Sequence, residues 1–115
     1  MYMFSYDEAM VDGGASQRAD EQLALKHSIS LLNLAAQCGA NSREAVEALF
    51  FINRLWSFFL DDLMKPENTL PAEVRASLIS VGIWLLRESD VIGAGKSENF
   101  KGLIEVSQLI EEGLQ

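Results

Sequence analysis

A short glycine-lysine-serine motif is the part of this sequence that comes nearest to a known chemical site. Gly95-Lys96-Ser97 matches the end of a phosphate-binding loop, in which backbone N–H groups and a lysine hold the phosphates. The complete motif needs a glycine where Asp90 stands, and a β-strand where the periodicity predicts a helix. We therefore interpret it as a glycine-containing turn that is followed by a serine at the start of a helix.

The single histidine and the single cysteine lack the companions that chemistry would require. Zinc sites and nucleophilic triads need several converging polar side chains, whereas His27 is the only histidine and Cys38 the only cysteine. His27 borders the apolar side of a predicted helix, so we expect it to be partly buried and hydrogen-bonded. Cys38 falls near a predicted helix C-terminus, where the helix dipole disfavours a thiolate.

Two pairs of adjacent carboxylates, Asp61-Asp62 and Glu111-Glu112, are the remaining candidates for a cation site. Neighbouring residues on a helix diverge by about 100°, so neither pair can clamp one ion alone. We interpret both pairs as solvated surface charge. The sequence therefore predicts no catalytic residue, no metal site and no cofactor, and a protein that is not an enzyme.

Composition and charge narrow the classes of protein further. The chain has 115 residues, of which 49% are hydrophobic and 23% charged, a balance typical of one globular domain spanning residues 1–115. The net charge of −8 makes nucleic-acid binding unfavourable, because phosphates would be repelled. There is no basic leader and no apolar run of about 20 residues, so we expect a cytoplasmic protein without a membrane span.

The 3.6-residue period of apolar side chains predicts an all-α fold, a compact and mostly antiparallel bundle of four main helices. The breaks between the helices come from glycine, proline and capping residues. The predicted helices span 17–38, 43–64, 71–92 and 98–113, with Ser97 capping the last of them. A short N-terminal helix is predicted after Ser5, which forms a capping box with Glu8, and it ends at Gly13-Gly14.

The second and third helices carry more aromatic side chains than one core-facing side needs. Phe50, Phe51, Phe58 and Trp84 fall on or beside the polar sides of these helices. Helices that are apolar nearly all round are often buried on several sides, which is one interpretation. The other is an exposed groove that binds a partner, with these four residues as contacts. An N-terminal apolar cluster (Met1, Tyr2, Met3, Phe4, Tyr6) could cover that groove or itself dock elsewhere.

Several segments, which extend almost from end to end of the chain, share the residue pattern of a known family: Tyr2, Phe4-Ser5-Tyr6, Ser42-Arg43-Glu44-Ala45-Val46-Glu47-Ala48-Leu49, Arg54-Leu55-Trp56, Pro66-Glu67-Asn68, Leu70-Pro71, Leu78-Ile79-Ser80-Val81-Gly82-Ile83-Trp84-Leu85-Leu86-Arg87-Glu88, Asn99-Phe100 and Gly102-Leu103-Ile104-Glu105. These segments are similar to FlaF, a family of flagellar regulators of alphaproteobacteria.

The resemblance implies a cytoplasmic regulator of flagellin production and filament assembly that often acts with the regulator FlbT. It also implies direct association with flagellin, as a chaperone or secretion helper. Our own hypothesis is that the apolar groove binds an amphipathic terminal helix of flagellin. The resemblance brings no catalytic motif. Two alternatives stay open: regulation through flagellin mRNA, which the acidic charge disfavours, and regulation through FlbT without any contact with flagellin.

Overall fold

A computed structural model of the chain describes residues 14–113, with side chains from Ala19 onward. The described part consists of four helices and contains no β-strand, which confirms the predicted all-α fold. The helices are α1 (Gly14–Cys38), α2 (Arg43–Leu63), α3 (Ala72–Gly93) and α4 (Phe100–Gly113). The short N-terminal helix predicted from the capping box lies outside the described residues.

Two helix boundaries form as their residue types predict. Gly39 ends α1 with a φ of +96°, a left-handed conformation that favours glycine because it has no side chain. Ser42 caps α2, since its Oγ accepts a hydrogen bond of 3.0 Å from the backbone N–H of Ala45. The turn of four residues between these helices makes α1 and α2 antiparallel neighbours.

Three helix starts differ from the prediction. Helix α1 already begins at Gly14, so this glycine does not break the helix. The first N–H groups of any helix lack an intrahelical acceptor, so a glycine at this position costs the helix little stability. Pro71 precedes α3 as its N-cap instead of lying in the first turn. Helix α4 begins at Phe100, where Asn99 and not Ser97 is the capping side chain: its Oδ1 accepts the N–H of Gly102 at 3.0 Å.

The four helices pack in a ring, each against its neighbours along the chain, and α4 closes the ring against α1. Among the four neighbouring pairs of helices in the ring, α3 and α4 share the smallest contact. Arg75 of α3 donates to the Leu63 carbonyl at the end of α2, and Gln22 of α1 donates to Glu111 of α4, so both pairs are antiparallel. The core between the helices contains Ala24, Leu25, Leu32, Ala35, Ala45, Ala48, Ile52, Leu55, Trp56, Leu85, Ile92, Phe100 and Leu103.

Candidate protein-binding surface

The four aromatic side chains that were predicted to contact a partner are exposed to different degrees. Phe50 exposes 63% of its surface, Phe58 38% and Trp84 37%, whereas Phe51 is half-buried against the core. Exposed apolar side chains indicate a binding surface when they are contiguous. Which of them are neighbours therefore decides what surface they form.

Phe51 and Phe58 lie on the side of α2 that faces α1. The Phe51 ring stands edge-on to the ring of His27 in α1, with centroids 4.9 Å apart and planes at 85°. Phe58 follows two helical turns later on the same side. The exposed Leu23 and Leu34 lie at helical spacing from His27, on its side of α1. We call the strip made by these five residues the α1–α2 groove.

His27 does not have the environment that the sequence predicted. It is exposed, because it lies at the outer edge of the contact between α1 and α2 and not within it. Its edge-to-face contact with Phe51 fixes the ring on the surface of the groove. The prediction of a partly buried histidine was therefore wrong, and His27 belongs to the exposed apolar strip instead.

Phe50 lies beside α3, on another part of α2. The Arg54 guanidinium carbon is 5.6 Å from the centroid of its ring, a cation–π arrangement. The two side chains border a shallow depression of about 370 Å³ between α2 and α3, with Ser89, Asp90 and Gly93 on the opposite side. Arg54 thus separates Phe50 from Phe58 on the surface of α2.

Trp84 lies on the outer surface of α3, away from α2. Gly82 faces α2, since a Cβ placed on it would be 2.8 Å from Cε3 of Trp56. Two residues further along a helix is a turn of about 200°, which directs Trp84 to the opposite side. Val91, seven residues after Trp84, is exposed on the same side.

The four predicted contacts therefore do not line one groove. Phe51 and Phe58 share the α1–α2 groove, whereas Phe50 and Trp84 belong to two other surfaces. A helical wheel places each side chain around its own helix but does not state which neighbour it meets. The two leucines of the groove could have been found from the sequence, because they lie beside His27 on the helical wheel of α1.

A cavity of about 350 Å³ at one end of the bundle had no counterpart in the sequence predictions. All four helices contribute apolar side chains to it: Leu25, Trp56, Phe59, Leu63, Leu78 and Ile110. Trp56 is 1% exposed and packs edge-on against Phe59 at 5.1 Å, and its Nε1 has no acceptor among the described residues. This atom is shielded from solvent, and the lining of the cavity also includes polar side chains, among them Glu21, Asp62, Lys65 and Asn68.

The glycine-lysine-serine motif is a turn, as predicted. Gly95 has a φ of +79°, and Ser97 accepts a hydrogen bond from the Asn99 backbone N–H at 3.1 Å. Ser97 Oγ also donates to Glu88 Oε2 at 3.3 Å, so this hydroxyl is paired with a carboxylate of α3. A loop with this negative charge and no preceding strand does not fit a phosphate.

The acidic pairs separate into different contacts. Asp61 pairs with Lys65 at 3.7 Å, while Asp62 accepts from Asn68 at 3.2 Å. Glu111 is buried and lies 3.8 Å from Lys26, so the prediction of solvated surface charge was wrong for this residue. Among residues 14–113, no three His, Cys, Asp or Glu side chains are grouped so as to hold a metal ion.

Cys38 is exposed at the end of α1. Desolvation raises the pKa of its thiol, and the charge of Glu44 and a hydrogen bond to that carboxylate raise the pKa further. Because the thiolate is the reactive form, all three effects lower the reactivity of Cys38 at neutral pH.

Comparison with known proteins adds one match. A family model described as "Flagellar protein FlaF" matches residues 2–114. No curated protein and no solved structure matches the chain. None of the helices in the described range has both the length and the apolar character that a membrane crossing requires.

Proposed function

The chain belongs to the FlaF family of flagellar proteins, and from this premise we propose that it regulates flagellin production and filament assembly by binding flagellin as a chaperone-like factor. In this proposal it acts in the cytoplasm and without catalysis. Flagellin held in such a complex is kept from premature association until it is exported. The level of free flagellin would then be the quantity that the protein controls.

The α1–α2 groove is the observation that carries this proposal. From Leu23 to Leu34 it extends along eleven residues of α1, about 16 Å or three helical turns. An amphipathic helix presents its i, i+3, i+4 and i+7 side chains over a similar length. The two phenylalanines of α2 border the same strip on the side of the neighbouring helix. Its size and apolar character therefore suit one helix of flagellin that lacks partners before polymerisation.

The expected energy is of the right order for a reversible complex. Burial of one leucine or phenylalanine side chain contributes about 1.5–3 kcal/mol. A micromolar dissociation constant corresponds to about 8 kcal/mol, so a few such side chains supply a large part of it. Such a complex would form in the cytoplasm and could still release flagellin for export.

Calorimetric titration of purified monomeric flagellin into the full chain tests the proposal. We expect a micromolar or tighter complex that Phe58→Ser weakens strongly. Leu109→Ser is the matched control, because Leu109 is exposed on α4, which contributes no residue to the α1–α2 groove. No heat of binding at high micromolar concentrations, or equal weakening by both variants, would contradict the proposal.

Pairwise pull-downs among this protein, flagellin and FlbT test whether the protein acts through FlbT instead. Capture of FlbT together with failure to capture flagellin would favour regulation through FlbT. Mobility shifts with flagellin mRNA, repeated at several salt concentrations, test the remaining alternative, since phosphate contacts weaken steeply with salt.

A further inference from the structure

We propose that the cavity beside Trp56, which we call the end cavity, is an anchor site for a partner segment in which a large apolar side chain has a lysine or arginine beside it. The apolar side chain enters the cavity and the basic one meets the carboxylates at its mouth. The anchor site stands independently of flagellin. Only the statement that the anchored segment is the one in the α1–α2 groove rests on the proposed function.

The first argument is the size and the lining of the end cavity. Its volume is about 350 Å³, and each helix contributes apolar side chains, among them Leu25, Phe59, Leu78 and Ile110. Trp56 is only 1% exposed and also lines the cavity, which therefore extends into the core. An apolar cavity of about 150 Å³ already accommodates benzene. The end cavity thus has room for one leucine, methionine or aromatic side chain.

The second argument is the charge at the mouth of the cavity. Its lining contains the carboxylates of Glu21, Asp62 and Glu67 and the ammonium of Lys65, so three negative charges and one positive charge leave −2. Glu67 is exposed and the other two carboxylates are half-buried, so all three border solvent. Lys65 also lies 3.7 Å from Asp61, a carboxylate outside the lining. Because charges act over about 8 Å at physiological salt, a basic neighbour of the anchor side chain is attracted and an acidic one repelled.

The third argument is that the mouth is already ordered. Arg75, which is outside the lining, donates two hydrogen bonds of 3.1 and 2.9 Å to the Leu63 carbonyl. Asn68 donates to Asp62 Oδ2 at 3.2 Å and accepts the N–H of Leu70 at 3.0 Å. These hydrogen bonds fix the loop between α2 and α3 in the conformation that borders the cavity. A site that is ordered beforehand loses less conformational entropy when a partner binds.

The fourth argument connects the end cavity to the α1–α2 groove. Phe58 belongs to the groove and Phe59 to the cavity, and the centroids of their rings are 6.2 Å apart. Asp62 follows Phe58 by one helical turn on the same side of α2, and it lines the cavity. The groove therefore leads to the acidic mouth. A helix in the groove reaches the cavity with one of its ends, where we expect the anchor side chain and its basic neighbour.

Two small probes test the anchor site without flagellin. 2-Phenylethylamine carries a phenyl ring and an ammonium group, and 3-phenylpropionate carries the same ring and a carboxylate. Each is titrated into the ¹⁵N-labelled full chain, whose two indole N–H signals come from Trp56 in the lining and Trp84 on the outer side of α3. The signal that Trp84→Phe removes identifies Trp84, so the other one belongs to Trp56.

We expect 2-phenylethylamine to move the Trp56 signal and to leave the Trp84 signal in place. Its dissociation constant should be about tenfold lower than that of 3-phenylpropionate, because the two differ only in the sign of the charge at the mouth. Added salt should reduce this preference. A Trp56 signal that does not move at high millimolar concentrations, or equal affinities of the two probes, would overturn the proposal.

Matched variants locate the selection of charge. Glu67→Lys changes the net charge of the lining from −2 to 0 and should abolish the preference for the amine. Glu105→Lys is the control, because it makes the same change at an exposed residue of α4 outside the lining. Leu78→Phe fills part of the cavity and should weaken both probes. Equal loss of the preference in Glu105→Lys would contradict the proposal.

Circular dichroism checks that each variant is folded. Glu67 is exposed in the loop, so Glu67→Lys keeps the test decisive if the larger side chain of Leu78→Phe unfolds the protein. A folded Leu78→Phe that binds both probes as tightly as the native chain would place them outside the cavity and refute the anchor site.

Titration of flagellin separates the anchor site from the proposed function. Flagellin should bind Leu78→Phe and Glu67→Lys about tenfold or more weakly than it binds the native chain. Unchanged affinity for both folded variants would show that its segment does not enter the cavity. Flagellin that does not bind the native chain at all refutes the proposed function, whereas the anchor site is then judged from the two probes alone.

Discussion

Gly82 of α3 lies directly against the indole of Trp56 in α2. A Cβ on Gly82 would be 2.8 Å from Cε3 of Trp56 and 2.9 Å from Cδ2 of Leu60. These separations are shorter than carbon atoms tolerate, so the absence of a side chain at position 82 sets how closely the two helices approach. The buried tryptophan and the glycine thus form one packing unit.

Gly82→Ala should therefore destabilise the protein, although alanine favours helices. We expect the free energy of unfolding to fall by about 1–3 kcal/mol, the usual cost of overpacking a core. Urea denaturation followed by circular dichroism measures it. Gly93→Ala is the control, because its Cβ would lie at 3.9 Å from Leu49 Cδ1, an ordinary contact. Equal effects of the two substitutions would contradict this account of the interface.

Asn99→Ala should lower the free energy of unfolding by about 1 kcal/mol, the typical value of an N-cap. The substitution removes the acceptor for the Gly102 N–H and the hydrogen bond of 3.1 Å from Asn99 Nδ2 to Glu88. Ser97→Ala should cost less, since its contacts lie in the preceding loop. A larger loss from Ser97→Ala, measured by thermal unfolding, would show that the serine caps α4 after all.

Glu44→Gln should make Cys38 react faster with iodoacetamide. The carboxylate raises the pKa of the thiol, so its removal lowers this pKa and increases the thiolate fraction at a given pH. The curve of alkylation rate against pH should move to lower pH. Glu47→Gln is the control, since Glu47 pairs with Arg43 at 3.4 Å and is not among the groups that shift the thiol. Identical curves for the native chain and Glu44→Gln would contradict the prediction.

The three aromatic surfaces should differ in their effect on flagellin binding. Phe58→Ser should weaken the complex about tenfold or more, a change of about 1.4 kcal/mol or above. Phe50→Ser and Trp84→Ser should weaken it less than about threefold, because they lie outside the α1–α2 groove. Calorimetric dissociation constants for the three variants decide the order. A dominant effect of Trp84→Ser would move the binding surface to the outer side of α3.

The helix boundaries could be predicted wherever one residue type has one physical role. Gly39 adopts the left-handed conformation, and Ser42 supplies a capping oxygen, as their positions indicate. The start of α4 was predicted less well, because Ser97 and Asn99 can both cap a helix and only the packed loop selects between them. The start of α1 at Gly14 was also predicted wrongly, because a glycine in the first turn of a helix costs little stability and so does not mark a helix end.

The candidate binding surface could be predicted only as a surplus of aromatic residues. The period of α2 shows that Phe50 and Phe51 lie outside its innermost side, but not that one meets α3 and the other His27 of α1. That assignment depends on how helices distant in sequence pack. The cavity beside Trp56 could not be predicted for the same reason, because four separate helices and a loop enclose it.

The contrast between Trp56 and Trp84 gives the chain two optical reporters of different events. Trp56 is 1% exposed in the core and Trp84 is 37% exposed on α3, and the sequence has no other tryptophan. Iodide in solution should quench emission from Trp84 and leave the blue-shifted emission of Trp56 almost untouched. Loss of that blue-shifted component would follow global unfolding, and protection from iodide would reveal a partner on the outer side of α3, without any label added.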